Sequence, residues 1–345
     1  MKWQKTLQTV DAHCGGEIGR IVTSQVLEIP GATMLERMTY INTVDDSLRR
    51  LLTREPRAFS PMTVNLLMPP LRPDADAGMI VLQADRAHPM SGSNAMCLTT
   101  VLLETGMRPA KEGENIVRLD TPAGLVTARA QMKDGRCTQV SLDMTPSFVQ
   151  ALDVEIDTQR HGKVKADIAF GGCFYALIDV DQLGFSIAPE NAMLLVNAGT
   201  YLKTEFERHV AIRHPENPYL NALAYVIFRQ KEPDGAYRTC TVLKPGRVDR
   251  SACGTGSSAH LATLDARGLV KPGDVFTTRS IIGCEFRIEH KGHAQLSNGQ
   301  TAVLPNVTGS AHIYGMTQVA LDPTDPFPTG FILGDTWGPY AHELM

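Results

Sequence analysis

Two glycine-rich segments of this 345-residue chain contain residue types able to move a proton. One reads Ser91-Gly92-Ser93-Asn94 and the other Cys253-Gly254-Thr255-Gly256, and each runs into a helical pattern. A loop that opens a helix presents small side chains and several backbone N–H groups at the end carrying partial positive charge. Such an end attracts a carboxylate. It also draws a thiol down from its usual ~8.5 toward neutrality, where a proton shuttle works best. Facing each other across a domain cleft, the two loops would grip a substrate carboxylate from both sides. Ser91 and Cys253 would then lie on opposite faces of the α-carbon.

Blander readings compete with this one. Gly254-Thr255-Gly256-Ser257-Ser258 resembles a phosphate cradle but lacks the lysine that such a loop requires. Burial as an inert structural thiol is the commonest fate of a free cysteine, yet Asp249, Arg250, Ser251 and the glycines around Cys253 make a polar setting. A cysteine protease would need a partner histidine that sequence alone does not place. Near the N-terminus, Asp11-Ala12-His13-Cys14-Gly15-Gly16-Glu17 gathers polar groups at a strand-to-turn junction. His13 and Cys14 are candidate ligands, but neighbours in a strand point to opposite faces. His209 and His214 show no zinc spacing. No metal is expected.

The elements that must position these loops alternate between strand and helix. Strand patterns cover Arg20 to Leu27, Gly78 to Gln83, Ala176 to Val180 and Thr239 to Leu243, and helical patterns cover Asp46 to Leu52, Met96 to Glu104, Asn191 to Val210 and Ser258 to Arg267. A mixed α/β protein follows. One fixed offset superposes Ser91 on Cys253, Gly92 on Gly254, Leu102 on Leu264 and Gly106 on Gly268. In both copies a strand precedes the loop and a glycine ends the helix, as a C-terminal cap would. Two related halves are expected, meeting between Asp143 and Val154: residues 1–148, completed by 320–345, and residues 149–319.

With 43% hydrophobic and 20% charged residues, the composition is that of a globular protein with a sizeable core. A formal net charge of −4 without a Lys/Arg-rich run speaks against a nucleic-acid partner. Met1-Lys2-Trp3-Gln4-Lys5 lacks a signal-peptide pattern, and no stretch reaches the ~18 apolar residues of a membrane span. Seven cysteines without paired spacing make no disulfide framework, so reduced thiols and a cytoplasmic location are expected.

The chain resembles the proline racemase family, which includes hydroxyproline 2-epimerases and trans-3-hydroxy-L-proline dehydratases. The resemblance rests on Asp11-Ala12-His13 with Gly15-Gly16-Glu17 and Arg20, on Met90-Ser91-Gly92, on Thr121-Pro122-Ala123-Gly124-Leu125-Val126, on Phe170-Gly171-Gly172, and above all on Asp249-Arg250-Ser251-Ala252-Cys253-Gly254-Thr255-Gly256. It implies two pseudo-symmetric α/β halves enclosing the substrate, a homodimer, two opposed acid/base residues and no cofactor. By position, Cys253 is one catalytic residue, Ser91 stands where the other is usually a cysteine, and Gly92, Ser93, Asp249, Gly254 and Thr255 match substrate-contacting positions. The first loop departs from the usual Cys-Gly-His, since Ser91-Gly92-Ser93 lacks both thiol and imidazole. Cys14 and Ile18 replace a common threonine and proline.

That departure bears on the reaction. Inversion at an α-carbon needs one group to take the proton and another to return it on the other face, and a serine hydroxyl ionises far less readily than a thiol. Dehydration of trans-3-hydroxy-L-proline needs only one residue, because the α-hydrogen and the 3-hydroxyl share a face of the ring. Cys253 alone would serve, giving Δ1-pyrroline-2-carboxylate and water. The sequence therefore favours a hydro-lyase acting on hydroxyproline. A 4-hydroxyproline 2-epimerase is the leading alternative, and a non-catalytic amino-acid-binding protein is a further one.

Overall fold

The computed structural model describes residues 5–24, 28–338 and 340–344. The end of the strand expected over Arg20 to Leu27, namely Gln25-Val26-Leu27, lies outside the described residues, as do Met1 to Gln4. The chain divides into two compact units, Met1–Leu142 with Gly309–Met345, and Asp143–Thr308. In the first, β1 (Lys5–Cys14) and β2 (Glu17–Val22) are followed by α1 (Met34–Thr43) and α2 (Ser47–Thr53). Next come β3 (Val64–Met68), β4 (Ala77–Leu82), β5 (Ala87–His88), α3 (Gly92–Glu104), β6 (Gly113–Thr121), β7 (Gly124–Lys133) and β8 (Arg136–Asp143). The second unit holds β9 (Phe148–Thr158), β10 (Gly162–Phe170), β11 (Phe174–Asp179), α4 (Ala192–His209), β12 (Leu223–Lys231), β13 (Tyr237–Leu243) and β14 (Arg247–Val248). It continues with α5 (Gly254–Ala266), β15 (Val275–Arg279), β16 (Glu285–Gln295) and β17 (Thr301–Gly309), after which β18 (Ala311–Leu321) returns to the first unit.

The pairings in the two units run in the same sequence. In the first, β18 is antiparallel to β1, β1 to β2, and β2 is parallel to β3. Then β3 is antiparallel to β4, β4 to β5, and β4 is parallel to β6, which is antiparallel to β7. In the second, β9, β10, β11, β12, β13, β14, β15 and β16 repeat that order and those directions. This is the mixed α/β fold of two related halves. The strand that corresponds to β9 comes from the end of the chain. Because β18 pairs with β1 from Leu321 opposite Lys5 to Ala311 opposite Cys14, the return begins at Gly309 rather than at residue 320.

Each unit wraps its sheet around one helix. Every residue of α3 from Gly92 to Leu103 is buried, as is most of α5. Small and apolar side chains all round, rather than one apolar stripe, suit a helix packed on every side. Both helices end alike. Gly106 (φ 73°) and Gly268 (φ 67°) take up left-handed backbone, and the N–H groups of Arg108 and Leu269 reach back to the carbonyls of Leu102 and Leu264. Only glycine enters that conformation cheaply.

A buried charge network ties α5 to its sheet. Arg229 of β12 donates to Asp167 of β10 (2.8 Å), to Asp179 of β11 (2.6 Å) and to Thr263 of α5 (3.2 Å), while Arg267 donates to Asp153 and to Asp167. Removing one partner of a buried pair strands the other charge, at a cost of about 3 kcal/mol. Asp167→Ala is expected to lower unfolding free energy by about that amount. Thermal or denaturant melting checks this, and a variant as stable as the parent would refute the anchoring role.

Candidate active site

In the first unit, Ser91 is the N-cap of α3, with extended backbone (φ −147°, ψ 124°). Its Oγ accepts a hydrogen bond from Asn94 Nδ2 at 2.9 Å and lies 3.3 Å from Ser93 Oγ. Asn94 is oriented in turn by Asn65 of β3, whose Nδ2 donates to Asn94 Oδ1 at 2.7 Å. Gly92, Ser93 and Asn94 supply the first N–H groups of α3, and intrahelical bonding begins with Ala95 N–H to the Ser91 carbonyl. Ser91 is therefore met by an N–H donor, which favours charge on its oxygen.

The second unit builds its counterpart more elaborately. Cys253 is the N-cap of α5 at φ 59°, ψ 96°, backbone that a residue with a side chain enters only where its surroundings impose it. Asp249 supplies part of that constraint, its Oδ1 accepting from the N–H (2.8 Å) and hydroxyl (2.9 Å) of Ser251. Ser251 Oγ then accepts from Cys253 N–H at 3.1 Å, and the Cys253 carbonyl takes the first intrahelical bond, from Ser257 N–H. Asp249 is thus a turn-forming aspartate. Gly254, Thr255 and Gly256 follow as the N–H groups of the first turn.

Cys253 is 6% exposed. Tyr175 Oη of β11 lies 3.4 Å from its sulfur, Thr255 Oγ1 lies 3.9 Å away, and the two hydroxyl oxygens are 2.7 Å apart. Gly171, in the β10–β11 turn, permits this closeness, since a Cβ there would sit 2.1 Å from the Thr255 carbonyl oxygen. Burial and, after it, the Asp249 carboxylate push the Cys253 thiol up to about 11. The helix N-terminus alone predicts the opposite direction. Removal from water, followed by the Asp249 carboxylate, sets the direction instead.

His13 and Cys14 part as strand neighbours should. Cys14 packs against Met96 of α3, with sulfurs 3.5 Å apart, and the His13 ring faces His312 and Tyr314. Asp11 and Arg20 form a buried ion pair at 2.7 Å across β1 and β2. Asp265, His290 and His293 bring possible ligand atoms within 4.8 Å of one another. The Gly292 N–H donates to His290 Nδ1, so the ring proton sits on Nε2 and points at Asp265, as in a hydrogen-bonded clasp. The group lies at the far end of α5, about 18 Å along the helix from Cys253. Tyr175 escaped the sequence reading entirely, since a lone tyrosine in an apolar strand carries no motif.

A profile of the family described as proline racemase matches residues 9–332. The chain belongs to the proline racemase family. It is 52% identical to a 4-hydroxyproline 2-epimerase of Rhizobium etli over the full length of both chains. It is 51% identical to 4-hydroxyproline 2-epimerase 1 of Rhizobium rhizogenes, again over the full length of both. Among solved structures, a hydroxyproline epimerase from Agrobacterium vitis with bound trans-4-hydroxy-L-proline superposes with a TM-score of 0.93 at 50% identity, covering 99% of this chain and 100% of that one. The protein is an enzyme of the proline racemase family.

These relatives overturn the dehydratase expectation and the hydro-lyase class with it. The expectation had rested on the acidity of a free serine hydroxyl. In the fold the Ser91 oxygen is not free but accepts from the oriented Asn94 amide.

A thiol raised by burial stays protonated at pH 7, and its reactive thiolate appears only as pH rises. Iodoacetamide labelling of Cys253, followed by peptide mass spectrometry, should therefore show a midpoint above ~8.5, approaching about 11. A midpoint at or below ~8.5 would contradict the buried environment.

Proposed function

We propose that this protein is a 4-hydroxyproline 2-epimerase interconverting trans-4-hydroxy-L-proline and cis-4-hydroxy-D-proline. The carrying observation is full-length identity of about half to proteins bearing that name. The relative holding trans-4-hydroxy-L-proline supports it further. Only the α-carbon inverts, so the 4-hydroxyl keeps its configuration and trans becomes cis.

In this reading Cys253 and Ser91 are the two acid/base groups. As a thiolate, Cys253 takes the α-proton from one face, leaving a planar carbanion whose charge spreads into the carboxylate. Ser91 returns a proton to the other face, and the roles exchange in the reverse direction. Gly92, Ser93, Gly254 and Thr255 hold the carboxylate through first-turn N–H groups and the Ser93 hydroxyl, where helix dipoles favour negative charge. Asp249 accepts from the ring ammonium while keeping its turn. The environment built around the Cys253 sulfur supports an enzyme over a binder, which would have no use for it. The homodimer implied by the family belongs to the same proposal, and light scattering decides it.

Incubation with trans-4-hydroxy-L-proline in heavy water, with product stereochemistry and α-deuteration followed together, tests the proposal. The wild-type protein should form α-deuterated cis-4-hydroxy-D-proline. Cys253→Ser should lose roughly two to four orders of magnitude in kcat while staying folded. Ser91→Ala should lose inversion yet keep slow α-exchange with retained configuration, since Cys253 can remove a proton and return a deuteron on its own face. A wild-type protein that neither inverts nor exchanges this substrate would overturn the assignment.

A further inference from the structure

The phenol of Tyr175 is poised beside the one sulfur assigned to proton transfer. We infer that Tyr175 is a positioning residue that relays a hydrogen bond from the Thr255 hydroxyl to the Cys253 sulfur and thereby favours the thiolate. Each hydroxyl has one proton to give and lone pairs to accept. Oγ1 and Oη are 2.7 Å apart and either can donate; in the relay Thr255 gives its proton to the phenol, whose own proton then serves the sulfur 3.4 Å away. A chain of two hydroxyls polarised in one direction donates more strongly than either alone.

The position of that phenol is fixed from several sides. Tyr175 lies opposite Ala169 of β10 and Tyr225 of β12, in the interior of the sheet. The residue is 1% exposed, its ring tilts against Tyr225, and it packs with Ala169, Leu177, Ile227 and Ala259. Burial, followed by the neighbouring Cys173 and Cys253 thiols, raises the phenol well above its ordinary value. It therefore keeps its proton and serves as a donor, not a base. The titratable groups facing the Cys253 sulfur are Tyr175 on β11 and Asp249 after β14, with Cys173 bordering the phenol. Asp249 opposes ionisation of the thiol, while the Thr241 hydroxyl of β13, the phenol and the Gly256 N–H favour it. Tyr175 is thus a counterweight to burial on this side of the site.

The effect on rate rests on the acid/base role proposed for Cys253, whereas the effect on the thiol does not. Tyr175→Phe removes one oxygen and leaves the packing ring. The alkylation midpoint of Cys253 should rise by about one to two pH units, the scale of a hydrogen bond to a charged group. Thr255→Val should raise it less, and Thr255→Ser should restore the parent value. In turnover, Tyr175→Phe should lower kcat about 10- to 100-fold, move the acid limb of the pH profile upward, and leave KM nearly unchanged. If Tyr175→Phe does not fold, the Thr255 pair carries the test. An unchanged or lowered midpoint in Tyr175→Phe, or Thr255→Val indistinguishable from Thr255→Ser, overturns the relay. A raised midpoint in a protein that fails to epimerise 4-hydroxyproline would uphold the relay and sink the proposed function instead.

Discussion

A thiol removed from water holds on to its proton, and Cys253 is removed from water: burial, then the Asp249 carboxylate, drives it up to about 11. The surrounding structure answers that cost. Within an apolar cluster that includes Ala169, Ile227 and Ala259, polar groups reach the sulfur from rigid elements: the Thr241 hydroxyl of β13, the phenol of β11, and the Thr255 hydroxyl and Gly256 N–H of the first turn of α5. The charge network from Arg229 holds that helix to the same sheet, so donor and acceptor cannot drift apart. A more basic sulfur is also a stronger proton acceptor, which suits a carbon acid. For the proposed proton transfer, the donors must bring the anion back within reach near neutral pH.

Duplication explains how two such positions arose, and divergence explains why they differ. Both units place a small residue at the N-cap of a buried helix that ends in a left-handed glycine. The caps are nevertheless made differently. Ser91 has ordinary extended backbone and needs no supporting turn. Cys253 sits at positive φ and is held there by the chain of hydrogen bonds from Asp249 through Ser251. An aspartate with two such bonds to one serine is structural before it is anything else. Whatever else it contacts, it must keep that turn.

The loops, their helices and the terminal glycines were legible because each has a local cause: small residues at a cap, apolar residues through a helix, glycine where φ is positive. The repeat was legible because those causes recur at one offset. Three features were not. The thiol shift depends on burial, which arises from strands distant in sequence, so the local helix end pointed the wrong way. Tyr175 reaches the sulfur only because β11 pairs between β10 and β12 and because Gly171 lets the turn touch α5. The return of the chain at Gly309 depends on the pairing of β18 with β1, a contact between the two ends of the sequence.

The mistaken preference for dehydration came from comparing free side chains, and the environments in the fold alter that comparison. A thiol and an aliphatic hydroxyl in water differ too much in acidity to trade one proton evenly between two faces of a carbon. In the fold the two have different surroundings. Burial and Asp249 raise the thiol. At Ser91, the amide of Asn94, fixed by Asn65, donates to the oxygen and favours its anion. Under the proposed epimerase reading, those surroundings place a donor beside each member of the Ser/Cys pair. In that reading Asn94 and Tyr175 have corresponding duties in the two units, each serving the atom proposed to carry charge.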